Sequence, residues 1–164
     1  MKKIVFIFAI FLLSIQILSQ WSQIAVINTP QLNTVKFFNE YIGIAVGQGG
    51  VWRTTDSGYN WTQVLSHANI RSFAFYNLNE GAAVGDSGKV FRSTDSGITW
   101  LQLNSGTTNN LTSVSVTPPG GIGPLSTYYI LAVGQNGIFI RSFNSGNTWS
   151  IGSAFTQDLY FINI

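Results

Sequence analysis

Apolar residues in this chain recur in short alternating runs, and helical spacing is weak after the first twenty residues. One arrangement appears four times, an apolar residue followed by others three and five positions later: Leu32, Val35, Phe37; Ile70, Phe73, Phe75; Leu111, Val114, Val116; and Leu159, Ile162, Ile164. The last two of each set alternate, which predicts a strand with a buried face. Behind the first three sets comes Ala-Val-Gly (Ala45-Val46-Gly47, Ala83-Val84-Gly85, Ala132-Val133-Gly134), then a run ending in Arg53, Arg92 or Arg141. A polar turn follows, leading into Trp61, Trp100 or Trp149. Each unit therefore carries four strand signals in about 40 residues, a period that suits propeller blades better than shorter solenoid repeats.

The expected fold is all-β, a propeller-like arc of about three four-stranded antiparallel blades at residues 29–66, 67–107 and 108–152. A further blade starts at 156–164, and Trp21-Ser22-Gln23-Ile24 matches Trp61-Thr62-Gln63-Val64 as an outer strand without upstream companions. The first and last strands are thus unpaired, and the chain is expected to be part of a larger propeller. An open arc exposes apolar faces and strand edges through which copies could self-associate. The third unit is longer, with about eight extra residues in the Pro- and Gly-rich stretch Thr117 to Tyr129, which reads as an extended loop.

The turns carry the most repeated chemistry: Asp56-Ser57-Gly58, Asp95-Ser96-Gly97 and Asn144-Ser145-Gly146. The acid or amide can accept backbone N–H bonds, and Gly supplies a positive φ. Trp packs beneath the turn while its N–H finds a partner. Asn144 keeps the acceptor without the charge, so hydrogen bonding, not catalysis or metal binding, is the shared requirement. The pattern Ser/Thr-x-Asp-x-Gly-x-Thr-Trp resembles the Asp-box, or bacterial neuraminidase repeat; Asn144 departs from it. With Ala-Val-Gly and Arg-Ser/Thr included, residues 21 to 164 are most similar to the photosystem II assembly and stability factor propellers and their exported bacterial relatives. That resemblance implies a non-catalytic scaffold for protein interaction or assembly. Arg53, Arg92 and Arg141 share one register, so they read as a structural ladder or, under the resemblance, as a docking row for a protein partner. A sialidase would need non-equivalent arginines converging on one centre.

Lys2 and Lys3 precede an apolar run from Ile4 to Leu18, the layout of an export signal over 1–19. Stable membrane insertion after cleavage is not expected, and the destination is periplasmic, cell-surface or extracellular in a bacterium. The whole chain has 8 basic and 6 acidic residues, a net charge of +2. Without the two leader lysines it is close to neutral, which gives no support for nucleic-acid binding. Cysteine is absent, which removes disulfides and thiolate metal sites. His67 has no ligand-spaced companions, so no metal or cofactor is called for. The acids outside the turns are Glu40, Glu80, Asp86 and Asp158. Glu40 and Glu80 each follow an Asn before Ala-Val-Gly, so they occupy equivalent turns and read as solvated turn residues. The alternative function is a fragment of a sialidase-like or other glycoside hydrolase, or of a sugar-binding propeller.

Overall fold

The computed structural model describes residues 27–29, 31–118, 128–153 and 157–158. The expected leader, the segment 21–24, most of the inserted loop and residues 159–164 lie outside the described residues. Strands β1 (Leu32–Phe37), β2 (Gly43–Thr54), β3 (Thr62–Phe75), β4 (Gly81–Gly85), β5 (Val90–Ser93) and β6 (Leu101–Leu103) are hydrogen-bonded in that order. A second sheet joins β7 (Leu111–Thr117), β8 (Tyr129–Gly134), β9 (Ile138–Ser142) and β10 (Ser150–Ser153) in sequence order. Every pairing is antiparallel. No helix among the described residues is long and apolar enough to cross a membrane.

Two long strands connect units that the sequence presents as separate strand signals. β2 pairs with β1 over 43–47 and with β3 over 48–53, and the change falls where Gly49 and Gly50 have φ of 109° and 143°. β3 pairs with β2 over 62–69 and with β4 over 70–75, and it turns at His67, φ 59°. The chain thus resolves into three four-stranded units, the first ending midway along β3. In each, the inner pairing slips at the same place: Leu32/Thr34, Ile70/Ser72 and Leu111/Ser113. Such a bulge re-aims the extra residue's side chain, here Asn33, Arg71 or Thr112.

The Gly that closes Ala-Val-Gly has a steric cause. A Cβ on Gly47, Gly85 or Gly134 would stand 2.1, 2.0 or 2.0 Å from the carbonyl oxygen of Gln31, Asn69 or Asn110. The second strand crosses the entry to the first there, and only a residue without a side chain fits.

Units pack face to face. Ile44, Val46 and Val51 of the first unit meet Phe73, Ala83 and Phe91 of the second. Ala82, Val84 and Val90 of the second meet Val114, Ala132 and Ile140 of the third. In the second unit β4 is apolar on both faces because it serves both described junctions, Ala82 and Val84 toward one and Ala83 toward the other. The face of the first unit that corresponds to Phe73 and Val114 is uncovered among the described residues: Val35 is 58% exposed, against 7% and 5% for its equivalents.

Gly85→Ala tests the close crossing. Overpacking of this kind costs about 1–3 kcal/mol, so thermal unfolding should shift down accordingly, whereas Gly106→Ala, whose nearest neighbour is the flexible end of Ile151 at 3.0 Å, isolates the cost of left-handed backbone alone.

Candidate functional site

Each third strand ends in a hydroxyl residue that organises the turn behind it. Thr54, Ser93 and Ser142 are each 1% exposed. Their hydroxyls donate to Asp56 Oδ1 (2.8 Å), Asp95 Oδ1 (2.9 Å) and Asn144 Oδ1 (2.9 Å). They accept from the amides of Gly58 (3.0 Å), Gly97 (2.9 Å) and Gly146 (2.8 Å). The same Oδ1 atoms accept the amides of Asn60, Thr99 and Thr148 at 2.8, 2.9 and 2.8 Å. Ser57, Ser96 and Ser145 have φ of 61°, 62° and 57°, and the glycines after them are left-handed too, as a type I′ turn requires. Trp61 and Trp100 donate Nε1–H to the carbonyls of Gly58 and Gly97 at 3.0 and 3.1 Å. Trp149 Nε1 is buried without such a partner.

These bonds set the electrostatics. Donation from the Asn60 side chain and amide, then from Thr54, holds the Asp56 carboxyl below its usual range. For Asp95, partial desolvation pushes up, but bonds from Thr99 and Ser93 outweigh it and the carboxyl is again lowered. Both acids are fixed, ionised acceptors with no proton to give near neutral pH.

Two of the three arginines reach across a blade junction, and no described blade lies beyond the third. Arg53 Nε donates to the carbonyl of Ser96 in the next unit's turn at 2.9 Å, and Arg92 Nη1 donates to that of Ser145 at 3.3 Å. Arg141 is exposed and lies over the Phe143 ring at 5.3 Å, with Tyr129 edge-on to Phe143 at 5.1 Å. Beside Arg92, Tyr128 is 1% exposed and stacks on Tyr76. The Tyr128 hydroxyl and Arg92 Nε are buried and make no hydrogen bond of good geometry, although the Arg92 side chain lies close enough to the phenol to oppose its rise in pKa. Burial, with Glu80 nearby and Arg92 opposing, pushes the Tyr128 phenol up to about 12.

The remaining acids separate to opposite ends of the strands. Glu40 and Glu80 lie in equivalent turns but at different positions. Phe38 N donates to Ile42 O and Tyr76 N to Glu80 O, so Glu80 corresponds to Ile42, and Glu40 to Leu78. The expected equivalence of the two turns holds, with the acids at different positions within them. Asp86 sits at the far end of β4 from Glu80, roughly 20 Å away at the strand rise, beyond the ~5–9.5 Å of a glycosidase pair. It binds Arg71 Nε and Asn69 Nδ2, the latter at 2.5 Å. Asp158 Oδ1 accepts the amide of Asn136 at 2.8 Å. His67 Nδ1 meets Ser66 Oγ at 2.7 Å, and its carbonyl accepts Lys89 Nζ at 3.3 Å. No group of three His, Asp or Glu able to hold a metal occurs among the described residues. The Arg71–Asp86 pair escaped sequence reading, yet both stand where the units diverge, against Asn33 and Thr112, and Gln48 and Gln135.

No family model matches the chain, and no curated protein matches it significantly. Solved structures do. YCF48 bound to a D1 peptide aligns at 23% identity and a TM-score of 0.57, covering 73% of this chain and 38% of that one. An ancestral GH74 enzyme aligns at 22% identity and a TM-score of 0.57, over 73% of this chain and 18% of that one. The GH74 enzyme of Niastella koreensis gives 16% identity, a TM-score of 0.53, and coverage of 73% and 22%. The fold is that of a partial β-propeller, and the units are its blades. The chain spans well under half the length of each of these neighbours, which divide between YCF48 and GH74 enzymes.

The turn acids predict a specific acid response. Their folded-state pKa lies below the unfolded value, so their stabilisation is complete above the ordinary value of 3.8 and disappears as pH falls through the lowered folded-state values. In an NMR titration the Asn60 and Thr99 amides should shift with midpoints below 3.8, while the Thr148 amide, bonded to Asn144, should not follow them. For Tyr128→Phe, relief of a poorly bonded buried hydroxyl and loss of its weak interaction with Arg92 oppose one another, so thermal stability should change by less than about 1 kcal/mol; a larger loss would show that the hydroxyl is well bonded.

Proposed function

We propose that this chain is an exported, non-catalytic Asp-box propeller module that docks a protein partner, in the manner of assembly and stability factor propellers. The observation that carries this reading is the Arg141–Phe143–Tyr129 group. Arg53 and Arg92 hold adjacent blades together; the third blade departs from the repeat at Phe143, which stands where the others carry Thr55 and Thr94, with Arg141 over its ring and Tyr129 at its edge. Arg and aromatic residues are over-represented among interface hot spots. The peptide bound to YCF48 supports partner binding as a use of this fold. The leader at 1–19 supports export.

Arg141→Ala should lower binding in a peptide array of acidic and free-carboxylate sequences by at least about tenfold, with unfolding unchanged. Equal binding by wild type and variant would reject this docking site. The GH74 neighbours favour a second reading, a fragment of a glycoside hydrolase. Turnover in a glycoside screen that is abolished by Glu40→Gln or Glu80→Gln would establish that reading over the first.

A further inference from the structure

At the end of the first junction that carries the Asp/Asn-Ser-Gly turns lies a recess of about 290 Å³, walled by Arg53, Asp56, Asn60 and Thr62 around Val64 and Ile98. We infer that it binds a neutral saccharide unit. The polar wall is fixed before any ligand arrives. Arg53, which lines the recess, is anchored through Nε to Ser96 O, and its terminal amino groups remain as donors. Asp56 is anchored by Thr54 Oγ1 and by both nitrogens of Asn60, the side-chain amide reaching Oδ2 at 2.7 Å. A carboxylate offers about four acceptor positions, so Oδ2 keeps capacity for a ligand hydroxyl. Pre-organised polar groups of this kind reduce the ordering cost of binding.

The guanidinium and the carboxylate cancel in charge, so the recess discriminates against an ion of either sign. What matches is a ligand with hydroxyls that both donate and accept, and an apolar C–H face. Ile98, 54% exposed, and the half-buried Val64 provide the surface for that face. The volume is near the lower end of ligand sites and suits a single ring. The repeat does not generate this lining automatically. At the next junction Leu101 replaces Thr62, Asn147 replaces Ile98 and Thr99 replaces Asn60. The site is also separate from Arg141, and it stands or falls independently of protein docking.

Titration of isotope-labelled protein with cellotriose and chitotriose, and with an uncharged blocked tripeptide as the competing ligand class, tests the inference. At least one saccharide should shift the Asn60 side-chain amide and the Ile98 methyl resonances, and the tripeptide should not. Thr62→Leu and Ile98→Asn copy the next junction without touching the turn bonds, and each should weaken that response at least about tenfold. Asp95→Asn should leave it unchanged. Silence toward both saccharides, equal response in both variants, or preference for the tripeptide would overturn it.

Discussion

A buried hydroxyl holds each blade's outer turn. Thr54, Ser93 and Ser142 each donate to the turn's acid or amide and accept the amide of its glycine, in an environment closed to solvent. An unsatisfied polar group there would cost about 1–3 kcal/mol, so hydroxyl, acceptor and left-handed Ser-Gly must be present together. That dependence explains why the motif recurs as a block. It also fixes the Ser carbonyl that the preceding blade's arginine reaches, so one local arrangement sets both the hairpin and the spacing between neighbouring blades.

The same logic separates structural chemistry from what remains for function. The Oδ1 atoms of the first two turn carboxylates are committed acceptors, and Asn144 Oδ1 keeps the same geometry in the third. Residues that depart from the repeat are the informative ones: Arg71 with Asp86, Thr62 and Ile98 at the first junction, and Phe143 on the third blade. Catalysis by the pair Glu80 and Asp86 is ruled out by the strand between them. One fold serves many functions and the site decides among them, so these placements are where function is to be sought.

Most strands were legible in the sequence, because two-faced burial leaves a plain record. Phe73 and Phe75 alternate on β3, and Ala-Val-Gly marks β4 and β8 through a clash that only glycine avoids. Continuity of β2 and β3 was not legible, since Gly49-Gly50 and His67 turn the chain without leaving the hydrogen-bonded ladder. The arginines were recognised as a register but not as a clasp, because their acceptor is a backbone carbonyl some fifty residues away with no side-chain signature. Tyr128 was invisible for a similar reason. Its counterparts Tyr41 and Asn79 occupy the same turn position, with carbonyls that also accept a turn serine amide, but only Tyr128 is drawn under the preceding blade.

Native-state hydrogen exchange at the amides of Gly58, Gly97 and Gly146 tests the buried hydroxyl most directly. These amides sit in turns that would exchange freely if the turns were ordinary surface loops. Exchange as slow as that of the β4 amides, lost together with them on global unfolding, is the predicted result. Fast exchange at these glycines while β4 remains protected would contradict the account.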